Sequence, residues 1–127
     1  MIVTAGQEAG GKIISGYDGG ADPFIYMGIG TGTTAEALGQ TALVTPSGAR
    51  VSAAISVTTV TTPNDTVQWI GLFALTAQTA VTEIGIFNAL TGGTMLARKV
   101  LDPPITAPAN SIFLGQYQIT ASDGGSL

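Results

Sequence analysis

The chain has 127 residues, which predicts one domain large enough to bury a core without a metal or a disulfide. Only 9% of its residues are charged, against about 25% in an ordinary globular protein, and the formal net charge is −4. Its 4 basic residues are too few for a cationic patch that binds a phosphate backbone, and without His or Cys the commonest catalytic bases and nucleophiles are missing. The composition therefore disfavours nucleic-acid binding and catalysis, and it predicts a weakly charged surface that packs against partners.

Residues 1–23 form a Gly-rich N-terminal segment that differs from the rest of the chain, and residues 17–23 are almost all turn formers. We expect an extended arm, with a short strand at Lys12, Ile13 and Ile14, that becomes ordered against a neighbouring subunit. A frayed terminus is the alternative. No basic region followed by a long apolar stretch is present, so no signal peptide is predicted, and no apolar run is long enough to span a membrane.

From residue 24 onward, short apolar runs alternate with turns rich in Gly, Pro and Asn, which is typical of antiparallel β structure. The predicted strands are residues 24–29, 50–60, 66–76, 82–88, 94–101 and 111–120. Residues 33–43 carry the one helical pattern, which Gly39 limits to one or two turns. We predict an all-β domain over residues 24–121, an antiparallel β-sandwich or jelly roll, preceded by the extended Gly-rich arm (1–23) and followed by a loose tail (122–127).

Two of the predicted strands have features that go beyond simple alternation. The strand 66–76 is apolar on both faces, which predicts that a second sheet or another subunit covers each face. The strand 94–101 should end at Asp102, because Pro103 and Pro104 cannot donate to a β ladder.

The strands 82–88 and 94–101 should form a hairpin whose loop contains Gly92 and Gly93. The period of two places Glu83, Gly85 and Phe87 on one face and Ile84, Ile86 and Asn88 on the other. In the second strand, Met95 and Ala97 should oppose Leu96 and Arg98. We expect Arg98 to pair with Glu83 across the hairpin or with an acidic residue of a partner.

Motifs that could support chemistry are weak in this chain. Residues 6–12 satisfy the phosphate-loop spacing G-x-x-x-x-G-K, but Ile13 stands where Ser or Thr would hold magnesium. Residues 28–33 resemble a dinucleotide fingerprint with one glycine out of place. The scattered acids lie in turn contexts, and the aromatic residues of the strands are assigned to the core. No catalytic residue, cofactor or metal site is predicted.

A longer pattern runs through residues 27–120: MGIGTGTT at 27–34, TAL at 41–43, Arg50, and TEIGIFNALTGGTMLAR at 82–98. It resembles a pattern of small bacteriophage virion structural proteins. Two departures are Ile84, where a small residue is expected, and the Gly-rich segment before Asp22, which lies outside the pattern.

The resemblance implies a non-enzymatic capsid decoration (cement) protein on the outer surface of a virion that is assembled in the host cytoplasm. The implied partners are the major capsid protein and copies of the chain itself, as a trimer or dimer, with no direct contact to nucleic acid or membrane. A head-fibre or tail-fibre subunit is the alternative. A carbohydrate-binding sandwich on a fibre tip is a third reading, and it requires an exposed aromatic residue such as Tyr17, Tyr26 or Trp69.

The candidate partner-binding residues lie in the arm and on the hairpin: Lys12, Ile13, Ile14, Tyr17, Arg98 and Lys99. If the arm attaches the protein to the capsid, deletion of residues 1–20 should abolish capsid binding and leave the domain folded. Many weak contacts per particle would then add up through multivalency.

Overall fold

The computed structural model describes residues 1–16 and 22–121. In chain order the elements are α1 (Thr4–Ser15), β1 (Tyr26–Gly30), β2 (Val51–Ser52), β3 (Ala54–Thr58), β4 (Thr66–Leu75), β5 (Thr79–Phe87), β6 (Met95–Ala107) and β7 (Ser111–Thr120). They build a four-stranded sheet in the order β2–β1–β5–β6 and a three-stranded sheet in the order β3–β4–β7. All neighbouring strands are antiparallel. The prediction of an all-β fold made of antiparallel sheets is confirmed.

The main core contains apolar side chains from both sheets, and they recur at alternate positions along the strands. Trp69 and Phe73 of β4 belong to this cluster together with Ile84 and Ile86 of β5. The Trp69 Nε1–H donates to the carbonyl oxygen of Phe24 at 2.7 Å, so the polar atom of this buried ring is satisfied. A smaller buried cluster contains Val3, Leu43, Phe87 and Met95.

The N-terminal segment is helical over Thr4–Ser15, so the prediction of an extended arm with a strand at residues 12–14 is wrong. Gly6 lies against the main chain of Leu96, where a Cβ atom would collide with backbone, and Val3 and Ala9 are buried. Tertiary packing on β6 thus stabilises a helix whose glycines lower its intrinsic propensity. The helix ends at Gly16, which adopts a φ of 66° and donates its N–H to the carbonyl oxygen of Lys12.

The predicted strand 50–60 is divided between the two sheets. β2 pairs with β1, β3 pairs with β4, and the change of sheet occurs at Ala53, whose N–H donates to the carbonyl oxygen of Ile25 at 2.8 Å. The alternation of side chains predicts a strand but does not say which strand it pairs with, because β2 and β3 have the same period of two.

The predicted end of a strand at Asp102 is also wrong, since β6 continues through both prolines to Ala107. β6 is an edge strand, and the register jumps there: Val100 is opposite Glu83, and Ile105 is opposite Val81. The prolines lie inside this irregular stretch of an edge strand, where no ladder hydrogen bond to β5 is required of them.

Strand β4 is covered on one face only within the described residues. Its inner face, with Trp69 and Phe73, packs in the core, whereas Leu72 on the outer face is 58% exposed and Ala74 is also exposed. The sequence predicted that a second sheet or another subunit covers each face; the four-stranded sheet covers the inner face, and the outer face presents apolar side chains to its surroundings.

Candidate functional site

The hairpin of β5 and β6 carries a buried ion pair. Arg98 donates from Nε to Glu83 Oε2 at 2.8 Å, and its Nη2 lies 2.7 Å from the same oxygen. Both side chains are 0% exposed. Arg98 Nη1 also donates to the carbonyl oxygen of Thr34 at 2.8 Å and to Gln40 Oε1 at 3.2 Å. Of the two pairings that the sequence left open for Arg98, the structure shows the one within the hairpin.

The Glu83 carboxylate accepts two further hydrogen bonds from main-chain N–H groups. Thr45 donates to Oε1 at 2.8 Å and Val44 to Oε2 at 3.1 Å. Burial by itself would raise the pKa of Glu83, but the N–H of Thr45, the Arg98 guanidinium and the N–H of Val44 outweigh burial, so this pKa lies below its usual value. The carboxylate stays ionised and binds Val44 and Thr45, while Arg98 binds Thr34 and Gln40, so the ion pair connects residues 34–45 to the sheet.

Two glycines of the 27–34 stretch, Gly30 and Gly32, are explained by the Glu83 side chain. A Cβ on Gly30 would collide with Glu83 Oε1 and with the carbonyl oxygen of Thr45. On Gly32 it would come within 2.9 Å of the Glu83 carboxylate carbon and 2.8 Å of Val44 Cβ. Gly30, Gly32 and Arg98, which belong to the sequence pattern, therefore meet at the buried Glu83 carboxylate, where they have a structural role.

This packing also explains why residues 33–43 form no helix and contain only a turn at Leu38–Gly39. The carbonyl oxygen of Thr34 and the side chain of Gln40 both accept from Arg98, so these groups are engaged by the hairpin. The main-chain geometry that presents them overrides a weak helical pattern.

Arg50, the other basic residue of the pattern, holds the hairpin loop. Its Nη1 donates to the carbonyl oxygens of Ala89 at 2.8 Å and Gly92 at 2.7 Å, and its guanidinium lies 3.5 Å from the centre of the Phe87 ring. Gly92 and Gly93 have φ values of 60° and 67°, which confirms the glycine turn that the sequence predicted there.

The two faces of β5 are as predicted, with Ile84 and Ile86 in the main core and Phe87 in the smaller cluster. The prediction for β6 is wrong at Met95. A register shift places Met95 opposite Phe87 and Ala97 opposite Ile86, so Met95 joins the cluster of Phe87 and no longer shares a face with Ala97.

The candidate partner-binding residues separate into buried and exposed groups. Arg98 is enclosed by this chain and offers no surface to a partner, whereas Lys99 is exposed. Ile13 and Ile14 lie at the C-terminal end of α1, where Ile14 is 90% exposed, and Lys12 pairs with Glu8 at 3.4 Å. Over the described ranges, no hydrogen bond or ion pair joins this helix end to Lys99. Tyr17 and the predicted tail 122–127 lie outside the described residues.

The outer face of the three-stranded sheet is a further surface, and the partner-binding candidates did not include it. Its exposed apolar side chains are on β4 and β7, with Leu72 directly opposite Leu114 and Ala74 opposite Ile112. Three glutamines continue the face: Gln116 and Gln118 donate to Gln68 Oε1 at 3.1 Å and 2.6 Å. The signal in the sequence was the doubly apolar strand 66–76 and the apolar residues at alternate positions of 111–120.

The remaining motifs have structural explanations. Residues 6–12, with the phosphate-loop spacing, are part of α1. Asp65 accepts from the N–H groups of Val60, Thr61 and Thr62, which confirms a turn role for this acid. Trp69 is buried, so it offers no platform for a sugar, and Tyr26 is half-buried.

Two further structural findings concern only residues 1–16 and 22–121. No group of three or more acidic side chains is arranged there to hold a metal ion. No helix in those ranges has the length and hydropathy that crossing a bilayer requires.

Comparison with known proteins gave no match: no family model, no curated protein and no solved structure is significantly similar to this chain.

Proposed function

We propose that this chain is a non-enzymatic structural protein of a bacteriophage particle that binds the outer capsid surface and stabilises the lattice. The proposal starts from the sequence pattern at 27–98, and one structural observation supports it most. Several residues of that pattern, namely Gly30, Gly32, Thr34 and Arg98, pack in a buried network around Glu83, while weakly charged, apolar surfaces remain uncovered at the end of α1 and on β4 and β7.

Uncovered apolar surface is typical of proteins that bury it against partners. Ile14 projects from a helix that packs on β6 through Val3 and Gly6, so its exposed side chain would contact a partner from a helix that is fixed to the sheet. The partners in this proposal are the major capsid protein and other copies of the chain. Many such contacts on one particle would add up, because each bound copy adds its own weak interaction to the lattice. The proposal also includes the finer fold assignment, in which the strands of the two sheets are connected as in a jelly roll.

The structure changes how an attachment role for the N-terminal segment can be tested. Deletion of residues 1–20 would also remove Val3 and Ala9 from buried clusters and uncover the edge of β6, so the domain would lose stability as well as its arm. Single substitutions at the exposed end of α1 avoid this problem, since Ile14 supports no core contact.

The experiment mixes the purified full chain with capsids of the phage that encodes it, stripped of this protein, and measures co-sedimentation. The wild type should bind at a copy number comparable with that of the major capsid protein. Ile14→Glu should weaken binding at least tenfold, a loss of about 1.4 kcal/mol. Gln7→Glu adds the same charge to an exposed position of the same helix and should bind like the wild type.

If the wild type does not bind stripped capsids, the decoration role is wrong. Far fewer copies than the major capsid protein on native virions would instead indicate the fibre alternative. Equal binding by Ile14→Glu and the wild type would exclude the end of α1 from the attachment surface.

A further inference from the structure

The two sheets have four edge strands, β2, β6, β3 and β7, and an exposed edge is a template for pairing with another chain. β2 has only two residues and β3 only five. Short edge strands of this kind present few unpaired main-chain groups. The two long edges, β6 and β7, differ in how they are protected.

The free edge of β6 is occupied by other parts of the chain. Hydrogen bonds along it join Val3 N–H to the carbonyl oxygen of Leu96 at 3.1 Å, Arg98 N–H to that of Met1 at 3.0 Å, and Val100 N–H to Glu36 Oε1 at 2.9 Å. Beyond them the strand contains Pro103 and Pro104. β6 is therefore closed to a second strand along most of its length.

In the part of the chain that the structure describes, β7 has no such main-chain cover: the Met1 amino group donates to the Tyr117 hydroxyl at 3.2 Å, but this contact is to a side chain. It spans ten residues, Ser111–Thr120, contains no charged residue and no proline, and pairs with β4 along its full length. Between residues 112 and 119, its main-chain hydrogen bonds are those of the β4 ladder. Its other edge thus presents a row of N–H and C=O groups without a described partner.

We infer that β7 pairs antiparallel with β7 of a second copy, which joins two three-stranded sheets into one six-stranded sheet. The inference deepens the self-association within the proposed function and rests on it. It concerns the chain alone, without capsids, so its failure is distinguishable from a failure to bind capsids.

The chemistry of the strand favours an identical partner. Residues 112, 114, 116 and 118 point to the outer face and are two apolar side chains followed by two glutamines. Amides both donate and accept, so a glutamine row can bond with its own copy, as Gln68 already does with Gln116 and Gln118 across the β4–β7 pair. No like charges would meet across the new pair.

Symmetry restricts the register. A two-fold axis perpendicular to the sheet keeps both outer faces on the same side, so even-numbered residues must lie opposite even-numbered residues. If the two strands overlap along as much of their length as possible, the axis lies between the two copies of Gly115 or of Gln116, the residues at the middle of the strand. A single strand pair buries less than the roughly 800 Å² per partner of a standard interface, so we expect a dimer that dissociates at micromolar concentrations.

The test is sedimentation equilibrium of the full chain across the micromolar range, with two matched variants. Leu114→Lys is on β7 and Leu72→Lys is directly opposite it on β4, and the two leucines are 55% and 58% exposed on the same face. Edge pairing predicts that Leu114→Lys weakens association at least tenfold and that Leu72→Lys changes it less than twofold. Fluorescence of Trp69, the single tryptophan, confirms that both variants are folded.

Cysteine crosslinking gives an independent readout, because the chain has no Cys of its own. Gln116→Cys should form a disulfide-linked or short-crosslinker-linked dimer, and Gln68→Cys, on the central strand of the same sheet, should not. A monomeric wild type would overturn the inference. Equal loss of association in Leu114→Lys and Leu72→Lys, or crosslinking through Gln68→Cys, would also overturn it in favour of packing between the outer sheet faces.

Discussion

Glu83 and Arg98 lie 15 positions apart in the chain and form an ion pair that is completely buried between neighbouring strands. Main-chain N–H groups donate further hydrogen bonds to the carboxylate, and a main-chain carbonyl oxygen accepts one from the guanidinium. The pair therefore joins the hairpin to residues 34–45, which have little regular secondary structure of their own. Loss of one partner would leave an uncompensated charge in the interior.

Arg98→Met should destabilise the fold by about 3–5 kcal/mol, because the Glu83 carboxylate stays buried without its cation. The double variant Glu83→Gln/Arg98→Met should cost less than the sum of the two single changes, since it removes both charges. The measurement is the free energy of unfolding in urea, followed by Trp69 fluorescence. Lys99→Met, at the exposed neighbouring position, should change stability by less than about 0.5 kcal/mol. Equal effects of Arg98→Met and Lys99→Met would contradict the role of the pair.

The stability of the wild type should fall in acid partly because of Glu83. Its pKa in the folded chain is lowered, so the unfolded chain binds the proton more tightly. This contribution is fully present above the unfolded pKa of about 4.3 and is lost as the pH falls towards the lower folded pKa. Glu83→Gln should therefore be less stable at neutral pH and lose less stability on acidification.

Urea unfolding at a series of pH values measures how the free energy of unfolding changes with pH in the wild type and in Glu83→Gln. Asp65 needs its own control, because hydrogen bonds from the N–H groups of Thr62, Val60 and Thr61 lower its pKa as well. Asp65→Asn should remove a separate part of the acid dependence. A Glu83→Gln variant with the acid slope of the wild type would show that the carboxylate does not titrate with unfolding.

Two glycine substitutions should act in opposite directions. Gly32→Ala places a methyl group within 2.9 Å of the Glu83 carboxylate carbon and should destabilise by about 1–3 kcal/mol through overpacking. Gly11→Ala, in α1, meets nothing within 4 Å and should stabilise by about 0.5–1 kcal/mol through higher helix propensity. Thermal unfolding should therefore give a lower Tm for Gly32→Ala and a higher Tm for Gly11→Ala than for the wild type. A raised Tm in Gly32→Ala would mean that the loop around Glu83 relaxes freely.

Arg50→Lys should loosen the hairpin loop, although the charge is kept. An ammonium group cannot reproduce both the planar contact on Phe87 and the hydrogen bonds to Ala89 and Gly92, and the loss should be about 1–2 kcal/mol. Hydrogen exchange should quicken at the amides of Asn88 and Thr94, which close the loop. Lys12→Ala, which removes a surface pair on α1, should leave these amides unchanged.

Composition and residue spacing were enough to predict an all-β fold and the positions of most of its strands. Apolar runs bounded by turn residues identified β4, β5 and β7 within a few residues, and in β5 the period of two also gave the two faces. The positive φ values of Gly92 and Gly93 confirm a turn that residue type alone indicated. The pairing of Glu83 with Arg98 was one of two that the sequence left open, since both residues lie on the two strands of one hairpin.

Features that depend on distant parts of the chain are set by tertiary packing and could not be predicted from local patterns. Residues 4–15 are helical because Gly6 fits against the main chain of Leu96, and β6 passes through two prolines because it is an edge strand. The switch of residues 51–58 between sheets and the burial of Arg98 likewise depend on segments far away in the chain. Local patterns encode period and turn chemistry, whereas close packing and edge position are properties of the assembled sheets.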